Sequence, residues 1–114
     1  MTTIYHMAAE ADWHVAEANG HYGGSGDDLR DGFIHFSTAA QVKESAARHR
    51  AGRRDLVLLF VKAEILGPAL KWEPSRGGQL FPHLYSELPA GAVHRAVPLP
   101  LGPDGRHVFP ELED

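Results

Sequence analysis

Residues 56–61, Leu-Val-Leu-Leu-Phe-Val, are the most apolar stretch of the chain and constrain the fold more than any other segment. A six-residue apolar run without alternation leaves no face for water, so its length and character predict a central strand buried on both sides. A sheet with material packed on both faces follows. The chain has 114 residues, and a chain of that size buries roughly 65% of its unfolded surface on folding. That supports one core, hence a single domain over residues 1–114. At 43% hydrophobic and 23% charged the composition lies in the globular range, so the chain is expected to fold without help.

Around this strand the pattern alternates between strand and helix. Residues 3–7 read as an opening strand with Ile4 and His6 on one face and Tyr5 and Met7 on the other. Residues 8–19 read as a helix, because Ala9, Trp13 and Ala16 recur at helical spacing and Asn19-Gly20 supplies a left-handed stop. Residues 21–31, with Gly23-Gly24-Ser25-Gly26 and Asp27-Asp28, read as a flexible connection. A phosphate-loop reading of these glycines fails, since no Gly-Lys-Ser/Thr follows and two aspartates repel phosphate. Residues 33–37 form the next strand, and Thr38 with Gln41 resembles a capping box opening a helix over residues 39–49.

Beyond the central strand, residues 63–68 turn the chain and residues 70–73 form a short strand ended by Pro74. Pro82 is expected to bend the backbone of residues 80–85, and residues 88–92 form a turn. Residues 93–99 read as a last strand, placed at an edge by Pro98 and Pro100. Pro103-Asp104-Gly105 reads as a hairpin turn that lets residues 107–109 pair back before a polar acidic tail. The expected class is α+β, with a mixed or antiparallel sheet and two helices.

Cysteine is absent, which removes a disulfide scaffold, a cysteine zinc site and a thiol nucleophile. The first residues carry neither a basic start nor a signal-peptide apolar core, and no apolar run approaches the roughly 20 residues that span a bilayer. A cytoplasmic protein with no membrane partner, monomeric or weakly dimeric, is expected. A formal net charge of -4 argues against coating nucleic acid through overall charge. Only the local cluster Arg48, Arg50, Arg53 and Arg54 around Gly52 could contact phosphate or RNA, and its default role is a solvated helix end.

Two segments carry the chemistry. Gly32-Phe33-Ile34-His35-Phe36-Ser37 and Leu80-Phe81-Pro82-His83-Leu84-Tyr85 each set a histidine in an apolar run followed two residues later by a hydroxyl. Together with His6 they supply imidazoles that one sheet could bring together, with Ser37, Glu73, Arg76 and Tyr85 as neighbours. Several imidazoles in apolar stretches are costly to bury without partners, and a histidine serves as acid, base or clamp near neutral pH. Ser37 and Thr38, at a strand-to-helix junction, either cap the helix or seat an anion on its free N–H groups. The histidines show no short His-x-His or His-x-x-x-His spacing, so no metal is expected.

Ile4-Tyr5-His6, Gly32 to Thr38, Asp55-Leu56-Val57-Leu58-Leu59, Lys71-Trp72-Glu73 and Leu80 to Tyr85, in this order, resemble the domain-of-unknown-function family numbered 952. The likeness spans residues 3–99, leaving a C-terminal hairpin and tail over residues 100–114. These are small bacterial proteins whose fold is similar to the ADP-ribosyltransferase superfamily. The resemblance implies NAD as a substrate or a related small-molecule nucleotide ligand. By it, His6 grips the ribose, and Phe33, His35, Ser37 and Thr38 form the nicotinamide side. A late glutamate, Glu73 or Glu87, polarises the ribose 2'-hydroxyl and stabilises the positive charge developing at the anomeric carbon. Catalytic roles then fall to His35, His83 and Glu73, and ligand contacts to His6, Ser37, Thr38, Arg76, Phe81 and Tyr85. Two readings stay open: an enzyme acting on NAD or on an ADP-ribosylated or phosphorylated substrate, and a module that binds such a ligand without turning it over.

Overall fold

A computed structural model describes residues 1–114, with Arg76 described by its backbone alone. The elements run β1 (Thr3–Ala9), α1 (Glu10–Asn19), β2 (His21–Tyr22), α2 (Gly26–Asp31), β3 (Ile34–His35), β4 (Ser37–Thr38) and α3 (Val42–His49), then β5 (Leu56–Lys62), β6 (Leu70–Pro74), β7 (Leu80–Leu84), β8 (Leu88–Pro89) and β9 (Val93–Pro98). All strand pairs are antiparallel, in sheets of order β4-β1-β5-β9, β3-β7-β6 and β2-β8. The class is α+β, as expected.

The apolar run does become the central strand. β5 pairs with β1 on one side and β9 on the other, and every residue from Leu56 to Val61 is buried. Its alternation divides the core in two. Ile4, Ala8, Val57, Leu59 and Val61 face a cluster with Trp13, Tyr22, Ile34, Phe36 and Leu84. Tyr5, Met7, Leu58 and Phe60 face another with Val42, Ala46 and Leu99. Each fully buried large side chain contributes about 1.5–3 kcal/mol, so this two-sided strand carries a large share of the fold.

The helices depart from expectation in three places. α1 starts at Glu10 because Ala8 and Ala9 continue the β1 ladder opposite Val57 and Leu56. Its Gly20 stop holds, with φ 89° and its N–H on the Ala16 carbonyl at 2.7 Å. α3 starts at Val42 because Thr38 and Gln41 first close a turn of their own. The Gln41 N–H donates to the Thr38 carbonyl, the Thr38 N–H donates to Gln41 Oε1, and the Gln41 amide reaches on to the Leu80 carbonyl at 2.9 Å. The connection expected over residues 21–31 contains β2 and a third helix, α2. A reciprocal Ser25–Asp28 capping box starts α2, and at six residues it is too short and polar to show an apolar period.

Two further corrections concern strands. Pro82 does not bend the chain; it lies within β7 opposite Trp72, and its carbonyl accepts the Phe36 N–H at 3.0 Å. Residues 88–89, expected in a turn, form β8 against β2. The final hairpin holds, with Leu101 bridged to His107 and Gly105 at φ 80°. Its tail is not merely polar: Phe109 and Leu112 pack on the second core, and the Tyr5 hydroxyl bonds the Glu113 backbone. Among the described residues no helix is long and apolar enough to cross a membrane.

One joint positions the site. β3 ends at His35, which pairs with His83 of β7, and β4 begins at Ser37, which pairs with Tyr5 of β1. Between them Phe36 is buried in the first core, so the chain passes from one sheet to the other within three residues. His35 and Ser37 are thereby fixed beside His6.

Candidate functional site

The joint is organised by Asp28 of α2, a carboxylate only 2% exposed. Its Oδ2 accepts the Ser25 N–H at 2.7 Å and the Ser25 hydroxyl at 3.0 Å; its Oδ1 accepts the His35 backbone N–H at 3.0 Å and His35 Nδ1–H at 2.5 Å. Burial pushes the Asp28 carboxyl up. The His35 side chain, the adjacent His6 ring and the backbone N–H groups of Ser25 and His35 outweigh it and hold the carboxyl well below the usual range.

His35 faces a carboxylate from each ring nitrogen, since Nε2 also lies 3.0 Å from Asp31 Oδ2. His6 is satisfied differently. Its Nδ1 meets the His35 carbonyl at 2.6 Å, which can only accept, so Nδ1 carries the proton; Nε2 then accepts the Tyr22 hydroxyl at 2.8 Å. Burial pushes the His6 imidazole below its usual value, with Asp28 opposing, and burial likewise pushes the Tyr22 phenol up.

A second cluster lies on β6 and β7. Glu73 Oε1 accepts His83 Nδ1–H at 2.8 Å and the Tyr85 hydroxyl at 2.7 Å. The Tyr85 bond first, then the His83 bond, hold the Glu73 carboxyl below its usual value, and the Tyr85 phenol is raised in return. Phe33 stacks on His83 with ring centres 4.1 Å apart and contacts His35 at 4.4 Å and Tyr85 at 5.2 Å. The His35 and His83 rings meet edge to face at 5.6 Å. A carboxylate that holds one imidazole nitrogen orients the other for proton transfer. Among the described residues His83 Nε2 has no hydrogen-bond partner.

The residues singled out in the sequence therefore fall into two groups that share His35. His6, His35 and Ser37 line a cavity of about 160 Å³ closed by Asp31, Ser45 and Arg50. Ser37 is buried and shares a 2.9 Å hydroxyl bond with Ser45. Glu73, His83 and Tyr85 lie outside that wall. Tyr85, Phe33 and Glu87 instead border a shallow cavity of about 250 Å³ on the other side of α2. Thr38 is half-buried in the turn before α3, Phe81 is buried opposite Glu73 in β7, and the side chain of Arg76 lies outside the described residues.

Sequence reasoning missed Asp28, Tyr22 and the site role of Arg50. The basic cluster does not act as one patch: Arg50 is 8% exposed, and its Nη1 donates to the His49 carbonyl at 2.9 Å and pairs with Asp27 at 3.3 Å. Arg48 is exposed and pairs with Glu44, while Arg53 and Arg54 are exposed. The Ser25-x-x-Asp28 spacing is the signal that could have shown α2 and its buried carboxylate. Among the described residues no group of three or more histidines and carboxylates is arranged to hold a metal ion.

Residues 7–96 match the family model described as "Protein of unknown function (DUF952)". Among solved structures, the crystal structure of protein CC0527 from Caulobacter crescentus superposes with a TM-score of 0.90 at 48% identity, covering 94% of each chain. The solution NMR structure of CC0527 gives a TM-score of 0.83 at 50% identity, covering 93% of this chain and 91% of that one. No curated protein sequence matches the chain. With most of its length in the family match and a near-half-identical relative sharing the whole architecture, the chain belongs to the DUF952 family of proteins of unknown function.

Proposed function

We propose that the chain binds a nucleotide, NAD or an ADP-ribosylated or phosphorylated relative, at the joint of its two larger sheets and acts on it by acid–base chemistry, in the manner of the ADP-ribosyltransferase superfamily. The observation that carries this reading is the carboxylate-oriented imidazole: Glu73 holds His83 Nδ1 at 2.8 Å beside Phe33, His35 and Tyr85. The cavity of about 160 Å³ is smaller than the roughly 300–1,000 Å³ of pockets that enclose a whole drug-sized ligand. It suits a phosphate beside Arg30 and Arg50, with the ribose outside it over His83 and Glu73 and the base over the exposed ring of Tyr85 and the edge of Phe33. In the reaction proposed, the bond between the ribose anomeric carbon and nicotinamide breaks and its electron pair leaves with neutral nicotinamide. An acceptor hydroxyl or water bonds to that carbon, and its proton passes to His83 Nε2. Glu73 stabilises the positive charge on the sugar.

The non-catalytic reading has its own support. Both ring nitrogens of His6 and of His35, and the hydroxyl of Ser37, are engaged within the protein. Such groups build a rigid wall and do not themselves move protons.

A thermal-shift titration with NAD, ADP-ribose, nicotinamide and a 2'-phosphorylated nucleotide, repeated on His35→Ala and His83→Ala, separates the readings. A ligand at 100 times its dissociation constant adds about 2.7 kcal/mol to the folded state. A shift with NAD that both variants lose, with nicotinamide released on incubation, supports the enzyme. A shift without turnover supports the binding module. No shift with any of the four sinks both.

A further inference from the structure

α3 separates two cavities of different electrostatic character, one compensated and one basic. On one side Ser45 and His49 face the cavity already described, whose cations are matched by Asp27 and Asp31. On the other side, between α3 and the C-terminal hairpin, lies a groove of about 420 Å³. Its ionisable lining is Lys43, Arg106 and His107, with no carboxylate, in a chain whose net charge is -4. Its floor is small and apolar, with Ala46 and Ala47, three and four residues after Lys43 on α3, and the half-buried Phe109 ring.

Three features make this more than an ordinary basic surface. Among the described residues neither Lys43 nor Arg106 has a carboxylate within ion-pairing distance, unlike Arg30, Arg48, Arg50 and Lys62. The third basic group is fixed, because His107 Nε2 is bonded to the Arg53 carbonyl at 2.8 Å and the Leu101–His107 bridge holds its backbone. The volume lies in the range of pockets that take a small organic ligand, and uncompensated cations beside a low-dielectric wall concentrate anions.

We infer that this groove is a second binding site, for a small anion with an apolar or aromatic body, its carboxylate or phosphate between Lys43 and Arg106 and its body on Ala46, Ala47 and Phe109. The site is independent of the nucleotide reading, since it shares no lining residue with the first cavity.

The test is an amide-resolved NMR titration with phenyl phosphate, benzoate, phenol and inorganic phosphate. Phenyl phosphate or benzoate saturates the Ala46, Ala47 and Phe109 signals at least ten-fold more tightly than phenol or inorganic phosphate, and the tighter of the two names the head group. Arg106→Glu and, separately, Ala47→Trp weaken that binding at least ten-fold at an unchanged melting temperature, while His35→Ala leaves it as it was. Equal affinity for phenol and the anions, affinity unmoved by both groove variants, or loss in His35→Ala alone overturns the inference. Phenyl phosphate that shifts only residues of the first cavity overturns it too and leaves the proposed function standing.

Discussion

Asp28 Oδ1 accepts two N–H groups from a single residue, the backbone and the Nδ1 of His35, at 3.0 and 2.5 Å. This closes a ring between α2 and β3, so one carboxylate fixes both the path of the chain into the joint and the plane of the imidazole. The opposite oxygen caps α2 through Ser25. Helix start, strand entry and site histidine thus depend on one buried charge.

Asp28→Asn preserves the shape and removes the charge. The new amide must turn its NH₂ toward donors on one side or the other, leaving at least one buried N–H without an acceptor. Breaking a buried charged network in this way costs about 3 kcal/mol. Urea unfolding should show the midpoint falling with an unchanged slope; a loss under 0.5 kcal/mol, the order of a surface change, would show that the network is not formed in solution.

Stability should fall as pH falls, in two limbs. His6 has its pKa lowered by burial, so the unfolded imidazole takes up a proton at about 6.5 while the folded one does not. The unfolded state then binds more protons, and the His6 contribution, complete above that pH, is lost as pH drops below it. Asp28 is also depressed in the folded state, so its contribution, present above the unfolded value of about 3.9, is lost as pH falls further. Glu113, held down first by His94, adds to this lower limb. Unfolding midpoints between about pH 7.5 and 3 check both limbs, and His6→Gln should flatten the upper one alone.

Ser37 and Ser45 share a buried hydroxyl pair across β4 and α3 at 2.9 Å. Each single alanine variant removes this shared bond, so each should cost about 1 kcal/mol. The double variant should cost less than the sum, because the shared bond is lost only once. A double-mutant cycle measures the difference; strict additivity would mean that the two hydroxyls are satisfied independently.

How much was legible follows from where periodicity exists. The run Leu56 to Val61 and the alternation Ile4, His6 against Tyr5, Met7 carry a period over enough residues to announce β5, β1 and the two-faced core. The capping pair Thr38 and Gln41 announced a real hydrogen bond at 3.0 Å, but the bond belongs to a turn before α3, because the Gln41 amide is drawn to the Leu80 carbonyl. α2 left no such trace. Its six residues bury mainly a carboxylate, and a charged residue in a glycine-rich stretch reads as solvated when its partner, His35, is seven residues away on a later strand. For the same reason the histidine segments pointed to a cluster without showing its two halves. Segment chemistry placed His35 and His83 together, as their pairing bears out, whereas the position of Glu73 outside the first cavity depends on β6 lying at a sheet edge.

Glu73 and Tyr85 supply the last prediction. The Glu73 carboxyl is held below its usual value first by the Tyr85 hydroxyl and then by His83. Carbon-detected NMR titration should therefore find Glu73 below the free-glutamate value of about 4.3, move it up toward that value in Tyr85→Phe, and move it less in His83→Ala. Glu73 lies near the surface, so the shift is sensitive to salt and is best followed at low ionic strength. The order of the two variants matters for the chemistry. With Tyr85 bonded to Oε1, that oxygen is the one held against His83 Nδ1, and the imidazole stays turned with Nε2 outward. If Tyr85→Phe leaves the titration where it was, the phenol is not bonded in solution, and His83 loses the support that would make it an oriented base.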